Sequence, residues 1–377
     1  TDPFAIPHQS SQILDEFIRD PHVLLAPDGM YYLTGTTAGT NFGETVGVRV
    51  WRSPDLANWE DLGFVWTLDQ SSWLADVPGL EGKKNPRAIW APELHWFDGT
   101  FWIVHTTNLR RAGLMRSTTG RIGGPYEDGG GWMGHRHDPT FFTDTDGSRY
   151  LVYAATQYQA IDLNEPALLS EPVRIEAENR LQGHEGSVIH RVGDHYVLFW
   201  TGWSDRSDES TMNYNLYYAV SERLDGGYGE QRLAVRYGGH GTPFQDKHGR
   251  WWTTAFHNPR GQTIVPPGAT LIPLEIVDHG DDVTVRTPDS SFADAIRFEV
   301  SDEWRDHPSV RFALDRLRTF EPANDLQIEV VRTGQLAHAP EAYLLTPLEN
   351  TLRVEAGSPA GAMYGLLEIA DGLTRGL

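Results

Sequence analysis

The chain of 377 residues exceeds the usual size of one domain, so we expect two domains or one large repeat domain with an appendage. Its 52 acidic residues outnumber its 31 basic residues and give a net charge of −21, which disfavours nucleic acids and anionic membrane surfaces as partners. The absence of cysteine excludes disulfides, thiolate metal sites and cysteine nucleophiles. No apolar run reaches roughly eighteen residues, so we expect a soluble protein, cytoplasmic or secreted after loss of a leader, in an oligomeric state that stays open.

Five stretches of one pattern follow each other along the chain. Each has a polar or small lead residue, an apolar strand, a glycine turn eight or nine residues after the lead, and a second strand with an aromatic residue three positions after that glycine. The lead residues are Asp20, Ala91, Asp138, Glu185 and His240, and the turn glycines are Gly29, Gly99, Gly147, Gly193 and Gly249. Two more strand-like stretches follow each hairpin, so one repeat contains about four strands.

The lead residues are 71, 47, 47 and 55 positions apart. A four-stranded propeller blade takes roughly 40 to 50 residues, so this spacing predicts a five-bladed β-propeller over residues 1–288. The first interval is longer because of residues 67–89, which precede the second inner strand. We expect this insertion to overhang the face on which the inner strands begin.

The composition changes after Pro288. Residues 308–320 and 358–377 have helical periodicity, and residues 326–331 and 351–356 are strand-like, which predicts a small α+β domain over residues 289–377. With its "AGAMYGLLEI" helix, this part resembles the non-catalytic domain that precedes the barrel in hexosaminidases and α-glucuronidases. The expected fold class is therefore mainly β, a five-bladed β-propeller with a small C-terminal α+β accessory domain.

The lead residues should lie close together. The innermost strands of a propeller run the same way along its axis, so Asp20, Asp138, Glu185 and His240 are expected at one end of the channel, and Ala91 leaves room among them. Aspartate and glutamate are depleted in strands, and like charges gathered at a narrow mouth cost free energy unless a proton or a cation relieves them. Three acids in one register therefore indicate a functional site.

The chain resembles glycoside hydrolase family 43, whose members are five-bladed propellers. The resemblance covers about residues 15–285 and is carried by "RDPHV" (19–23), "RSPDLANWE" (52–60), "WAPELHW" (90–96), "HDPTFF" (137–142), "HEGSVI" (184–189) and "GHGTPF" (239–244). It implies an inverting enzyme with Asp20 as general base, Asp138 as the aspartate that orients the acid and tunes its pKa, and Glu185 as general acid. His240 matches a histidine that faces a hydrated cation. No cofactor is required, and a calcium or other cation in the channel is an option.

Hydrolysis with inversion of configuration requires a pair of carboxyl groups of this kind. One carboxylate activates water and one protonated carboxyl serves the leaving oxygen, about 6.5 to 9.5 Å apart. A glutamate beside another acid in a partly desolvated mouth is expected to have a raised pKa.

Further residues are candidates for contacts with a carbohydrate substrate. His137 and His184 each precede an acid, aromatic rings suit the apolar side of a sugar, and Arg260 follows the fifth hairpin. The substrate-binding candidates are His137, His184, Trp90, Trp203 and Arg260, and Trp200 is a further ring of this kind. Each has an ordinary structural alternative: inter-blade core for the tryptophans, a salt bridge for Arg260, and a hydrogen-bonded structural histidine for His240.

The expected function is release of a terminal sugar, α-L-arabinofuranose or β-D-xylose, from plant-type or related glycans by an inverting glycoside hydrolase. Exo action is favoured because the insertion at 67–89 should close one side of the mouth. The alternatives are a non-catalytic carbohydrate-binding propeller, an exo-acting galactosidase or galactofuranosidase, and a retaining fructan-type hydrolase with Asp20 as nucleophile.

Overall fold

The computed structural model describes residues 11–37, 45–71, 88–107, 111–180, 185–203, 213–258, 268–287, 296–317, 326–348 and 351–374. The chain forms two compact units, and the boundary after the first lies between Pro288 and Asp289. Among the described helices, none combines the length and apolar character that crossing a membrane requires.

The first unit is a β-propeller of five antiparallel blades, as the repeat spacing predicts. Its strands are β1 (Ser11–Leu14), β2 (Arg19–Leu25), β3 (Tyr31–Thr36), β4 (Gly47–Ser53), β5 (Glu60–Thr67), β6 (Ile89–Phe97), β7 (Thr100–Thr107), β8 (Arg111–Ser117), β9 (Tyr126–His135), β10 (Thr140–Thr143), β11 (Arg149–Tyr153), β12 (Gln157–Asp162), β13 (Ala167–Leu168), β14 (Val173–Arg174), β15 (Glu185–Val192), β16 (His195–Trp203), β17 (Tyr214–Ser221), β18 (Arg232–Val235), β19 (Pro243–Gln245), β20 (Trp251–Phe256), β21 (Ala269–Asp278) and β22 (Val283–Arg286).

Strand pairing follows chain order within the first four blades. The blades are β2 to β5, β6 to β9, β10 to β13 with β14 also on β12, and β15 to β18. The fifth blade combines β19, β20 and β21 with β1 and β22, which both pair with β21. The N-terminal strand thus completes the last blade.

The repeat positions have structural roles. All five turn glycines have φ between 56° and 85°, a left-handed conformation that costs other residues about 1–2 kcal/mol. Two of the repeated aromatic residues bind an aspartate of their own turn: Tyr32 donates to Asp28 at 2.7 Å, and Trp252 donates to Asp246 at 3.1 Å. These bonds fix the inner hairpin of each of the two blades.

Each inner strand also begins at a left-handed residue. The φ angles are 52° at Asp20, 43° at Ala91, 44° at Asp138, 51° at Gly186 and 54° at His240. In the fourth blade this position is therefore Gly186, and Glu185 lies one residue before it. The predicted register, with Glu185 equivalent to Asp20 and Asp138, is wrong by one residue in this blade.

The second unit is a four-stranded sheet covered by helices. It contains β23 (Ile296–Val300), α1 (Asp302–Arg305), α2 (Pro308–Leu317), β24 (Leu326–Arg332), β25 (Tyr343–Leu348), β26 (Thr351–Ala356) and α3 (Pro359–Thr374). The strand order is β23, β24, β26, β25, with β25 antiparallel to β26. Ile328 and Val330 are alternate residues of β24 and therefore lie on the same face of the sheet. They share one buried cluster with Leu314 and Leu366 of the helices. This unit has the α+β composition that residues 289–377 predict.

Candidate active site

Two rings of residues lie at the start of the inner strands. The inner ring comprises the five left-handed residues, Asp20, Ala91, Asp138, Gly186 and His240. The outer ring comprises the residue before each of these, Arg19, Trp90, His137, Glu185 and Gly239. Pairing with the second strand supports this register, because Arg19 is opposite Thr36, Trp90 is opposite Thr106, and Glu185 is opposite Thr201.

Threonine hydroxyls of the neighbouring blades hold the inner ring in place. The backbone N–H of Ala91 donates to Thr36 Oγ1 at 2.7 Å, and that of Asp138 donates to Thr106 Oγ1 at 2.7 Å. The N–H of His240 donates to Thr201 Oγ1 in the same way. The left-handed backbone is therefore satisfied by hydrogen bonds between blades.

Asp20 is a buried carboxylate with two donors. Its Oδ1 lies 2.9 Å from Nδ1 of His240, and its Oδ2 accepts a 2.8 Å hydrogen bond from the hydroxyl of Thr36. Burial alone raises the pKa of Asp20, but the charge and hydrogen bond of His240 outweigh it and hold this pKa well below its usual range. Asp20 is therefore ionised at neutral pH, and it can accept a proton during a reaction.

His240 joins two carboxylates of the inner ring. Its Nε2 lies 3.9 Å from Oδ2 of Asp138, on the side opposite Asp20. Burial lowers the pKa of His240, yet the negative charges of Asp20 and Asp138 raise it to about 10. Gly186 leaves the space for this ring, because a Cβ at this position would lie 2.2 Å from Cδ2 of His240.

Glu185 is more open than the two aspartates. Its side chain is 43% exposed, against 10% for Asp20 and 4% for Asp138. Oε1 lies 3.5 Å from Nε2 of His137, and Oε2 accepts a 2.6 Å hydrogen bond from the hydroxyl of Tyr214. Its openness toward the mouth leaves this carboxyl accessible to a ligand.

The expectation of a raised pKa for Glu185 is wrong. Burial acts in that direction, but the hydrogen bond with His137, the charge of His240 and the hydrogen bond from Tyr214 lower the pKa of Glu185 to about 2. The raised pKa belongs to Asp138, mainly because this carboxyl is buried.

Nδ1 of His240 lies 2.9 Å from Asp20, so Nε2, 3.9 Å from Oδ2 of Asp138, is the ring atom that could face a cation. The expected cation near His240 stays a prediction. Away from the catalytic carboxyls, ligand atoms of His22, Glu93 and His95 lie within 4.8 Å of one another. Nδ1 of His22 accepts the N–H of Leu94 at 3.4 Å, which places the proton of the neutral ring on Nε2, the atom that faces Glu93.

The predicted substrate contacts have different outcomes. Trp90 is half-buried on the outer ring, and half-buried Trp203 packs on the ring of Tyr214 at 4.4 Å between centroids. Trp200 is 1% exposed in the core between the third and fourth blades, so it is unavailable to a ligand. His184, Arg260 and most of the insertion at 67–89 lie outside the described residues.

Tyr214 is the site residue that the sequence did not indicate. It begins β17, the third strand of its blade, where aromatic residues are common in this chain and no repeat position marks it. A Cβ at Gly239 would lie 2.2 Å from Cδ1 of Tyr214, so the glycine before His240 makes room for this ring. A glycine pair at 238–239 was the only available signal, and it does not identify the residue that it accommodates.

Known proteins are similar to the propeller in fold and in sequence. The structure superposes on an exo-1,5-α-L-arabinanase from a bovine ruminal metagenomic library with a TM-score of 0.55 at 20% identity, covering 71% of this chain and 96% of that one. A xylan 1,3-β-xylosidase of Vibrio sp is 24% identical over 291 residues, 67% of this chain and 51% of the xylosidase. An extracellular endo-α-(1->5)-L-arabinanase of Bacillus subtilis is 23% identical over 271 residues, 67% of this chain and 78% of that enzyme.

The chain thus spans about half the length of the xylosidase. The family model of glycosyl hydrolases family 43 matches residues 10–272, which include both rings of the site. The chain therefore belongs to glycosyl hydrolases family 43.

Proposed function

We propose that the propeller is an inverting glycoside hydrolase that removes a terminal α-L-arabinofuranose or β-D-xylose from plant-type or related glycans. One observation carries this proposal: the two carboxyls assigned to base and acid differ in exposure. Asp20 is buried and ion-paired with His240, whereas Glu185, which also adjoins an imidazole, is open to the mouth. Inversion uses two carboxyls, one that takes a proton from water and one that gives a proton to the leaving oxygen, and the open carboxyl is the one that a leaving oxygen can reach.

Asp20 acts as the general base. His240 and Thr36 keep it ionised and fix both of its oxygens, so it can orient a water molecule and accept its proton as the water attacks the anomeric carbon.

Glu185 acts as the general acid toward the leaving oxygen. Tyr214 fixes Oε2 of the carboxyl and thereby leaves Oε1 as the atom that carries the proton. Asp138, on the inner ring, acts through its charge on His137 and His240. Its Oδ1 lies 3.1 Å from Nδ1 of His137, and its Oδ2 lies 3.9 Å from Nε2 of His240.

The proposed sugar follows the relatives. Those with sequence similarity include a xylan 1,3-β-xylosidase, a β-xylosidase and a non-reducing end α-L-arabinofuranosidase. Trp90 and Trp203, both half-buried near the rings, are the proposed stacking surfaces for a pentose.

The test combines a substrate panel with a stereochemical measurement. Nitrophenyl α-L-arabinofuranoside, β-D-xyloside, galactosides and galactofuranoside are assayed, and proton NMR records the first anomer formed from the best one. We expect turnover of a pentoside with inverted configuration. Retained configuration would remove the assigned roles, and turnover of only a galactoside or galactofuranoside would replace the proposed sugar.

A non-catalytic sugar-binding propeller is distinguished by Glu185→Gln. The enzyme should lose turnover by about 10²- to 10⁴-fold and keep its affinity for the sugar. A binding module has no turnover to lose, so sugar binding by the unaltered protein without hydrolysis would favour that alternative.

A further inference from the structure

His137 lies between the two carboxyls that are assigned to acid catalysis. Its Nδ1 is 3.1 Å from Oδ1 of Asp138, and its Nε2 is 3.5 Å from Oε1 of Glu185. His137 and Glu185 belong to the same outer ring on adjacent blades, which explains why their side chains meet. The imidazole thus connects a buried carboxyl to an open one.

This arrangement answers a difficulty in the proposed reaction. A general acid must hold a proton, yet the surroundings of Glu185 favour its ionised form. Within the described residues, hydrogen bonds to this carboxylate come from Tyr214 and His137. Burial and the charge of Glu185 raise the pKa of Tyr214 well above 10, so its hydroxyl does not release a proton at neutral pH. Of these two neighbours, His137 is the one that can supply a proton to Glu185.

We propose that His137 stores the proton that Glu185 delivers to the leaving oxygen, and that Asp138 holds the ring in position for this transfer. The inference rests on the proposed function. The N–H bond at Nε2 breaks as an O–H bond forms at Oε1 of Glu185, and the neutral ring keeps its other proton on Nδ1. Glu185 then protonates the glycosidic oxygen, which takes the electron pair of the broken bond to the anomeric carbon.

The proton balance closes over one turnover. The attacking water leaves one proton on Asp20, which returns it to solvent, and neutral His137 takes one proton from solvent. Glu185 ends ionised, as it began. No oxidant, reductant or cofactor enters this sequence.

The charged groups around His137 support a stored proton. Asp138 and Glu185 face its two nitrogens, and His240 is the opposing cation. Burial and His240 lower the pKa of His137, but the two carboxylates outweigh them and raise it above its usual value of 6.5. The imidazole is therefore protonated at the pH at which Glu185 is not.

The first arm of the test measures titration without substrate. Carbon-detected NMR of histidine-labelled protein follows His137, assigned by the signal lost in His137→Gln. We expect the pKa of His137 to lie above 6.5 and to fall in Asp138→Asn and in Glu185→Gln. The control is His279, an exposed histidine of the fifth blade, whose signal at a given pH should be the same in the unaltered protein and in both variants. A His137 pKa at or below 6.5 that neither variant moves would overturn the proposal.

The second arm measures catalysis on substrates that differ in their leaving group. His137→Gln keeps a polar side chain but cannot carry a proton, so kcat/KM on a disaccharide or alkyl glycoside should fall by about 10²- to 10⁴-fold. On the dinitrophenyl glycoside of the same sugar, which departs without protonation, the fall should be less than tenfold. The basic limb of the pH profile should also move.

The two arms distinguish failure of the proton store from failure of the proposed glycosidase function. Equal losses on both substrates with an unmoved pH profile would show that His137 only supports the fold. Turnover by a protein whose His137 titrates independently of Asp138 and Glu185 would overturn the proton store alone. Coupled titration with no turnover of any glycoside would overturn the proposed function and the proton store together.

Discussion

Asp20 and Glu185 are both carboxyls at the mouth of one channel, and their neighbours assign them different tasks. Asp20 has His240 and Thr36 as fixed donors, and Glu185 has Tyr214 and His137. The tasks should therefore be separable by substitution.

A poor and a good leaving group distinguish the base from the acid. Glu185→Ala should lose about 10²- to 10⁴-fold in kcat on an alkyl glycoside and far less on a dinitrophenyl glycoside, which needs no proton. Asp20→Ala should be impaired on both, because water must be activated whatever group departs. Steady-state kinetics on the two substrates provide the measurement. If Asp20→Ala shows the dependence on leaving group and Glu185→Ala does not, the two roles are reversed.

Tyr214 holds Oε2 of Glu185 and stabilises the ionised carboxyl. Tyr214→Phe removes this donor but keeps the ring that packs on Trp203, so the pKa of Glu185 should rise from about 2. NMR of carboxyl-labelled glutamate reads this pKa, with Glu185→Gln to assign the signal. Tyr217→Phe is the matched control, because that hydroxyl accepts from Asn215. An unchanged pKa in Tyr214→Phe would contradict the assigned role of this hydrogen bond.

The candidate acids of the site could be named from the sequence, but their neighbours and their protonation could not. Asp20, Asp138 and Glu185 stand out because acids are unusual where strands begin. Which of them has a raised pKa depends on donors such as Tyr214, 29 positions from Glu185, and on which nitrogen of His240 faces which carboxylate. Such distances are properties of the folded chain alone.

At the scale of the strand, Gly186 couples the backbone of the fourth blade to the ring of His240. Its φ of 51° is left-handed, which glycine adopts most easily although Asp20 and His240 adopt it in the same ring. The neighbouring ring is the stricter constraint, because a Cβ at this position would lie only 2.2 Å from Cδ2 of His240. Gly29 has a φ of 79° with open space around it, so it shares only the first constraint.

The pair Gly186→Ala and Gly29→Ala separates these two constraints. Gly29→Ala should cost about 1 to 2 kcal/mol of unfolding free energy from its backbone alone. Gly186→Ala should cost more and should also reduce kcat, since His240 must move away from Asp20. Urea unfolding and a glycosidase assay measure both effects. Equal costs with unchanged kcat in Gly186→Ala would show that His240 has room to adjust.

The five blades and their turns follow from the repeat because each blade uses the same residues for the same local geometry. The features that the structure confirms are those in which one residue type recurs for one backbone conformation, such as the glycine with positive φ in each turn. The register of the fourth blade was missed because its left-handed position is a glycine and carries no polar side chain. Completion of the fifth blade by β1 was also not predicted, because the pairing joins residues 260 positions apart, as Ser11 and Leu271 do.

For the whole propeller, buried histidines determine how stability depends on pH. Burial lowers the pKa of His22, His105 and His190 to about 4, so each stays neutral in the folded state. Their contribution is present above pH 6.5 and is lost as the pH falls toward 4, because the unfolded chain takes up these protons first. His240, with a pKa of about 10, contributes below pH 6.5 and loses this contribution as the pH rises through 10.

The unfolding free energy should therefore be greatest near pH 6.5. Urea unfolding at pH 4.5, 6.5 and 9.5 tests this, with tryptophan fluorescence as the probe because Trp304 is the one tryptophan beyond residue 288. His190→Gln, which keeps a donor for the carbonyl of Pro243, should reduce the loss on the acidic side. Equal stability at pH 4.5 and 6.5 would contradict this account.

Closure of the fifth blade by β1 also sets an order of events during synthesis. β1 leaves the ribosome before the other strands of the propeller, yet its partner β21 is made about 260 residues later. At about 5 to 20 residues per second, the N-terminal strand waits roughly 13 to 52 s for its partner. During this interval Ile13 and Leu14, which later pack into the core between the first and fifth blades, have no apolar partner from the fifth blade. The first four blades can form as they emerge, but the ring closes only after β21 has emerged, so the nascent propeller carries an open edge until then.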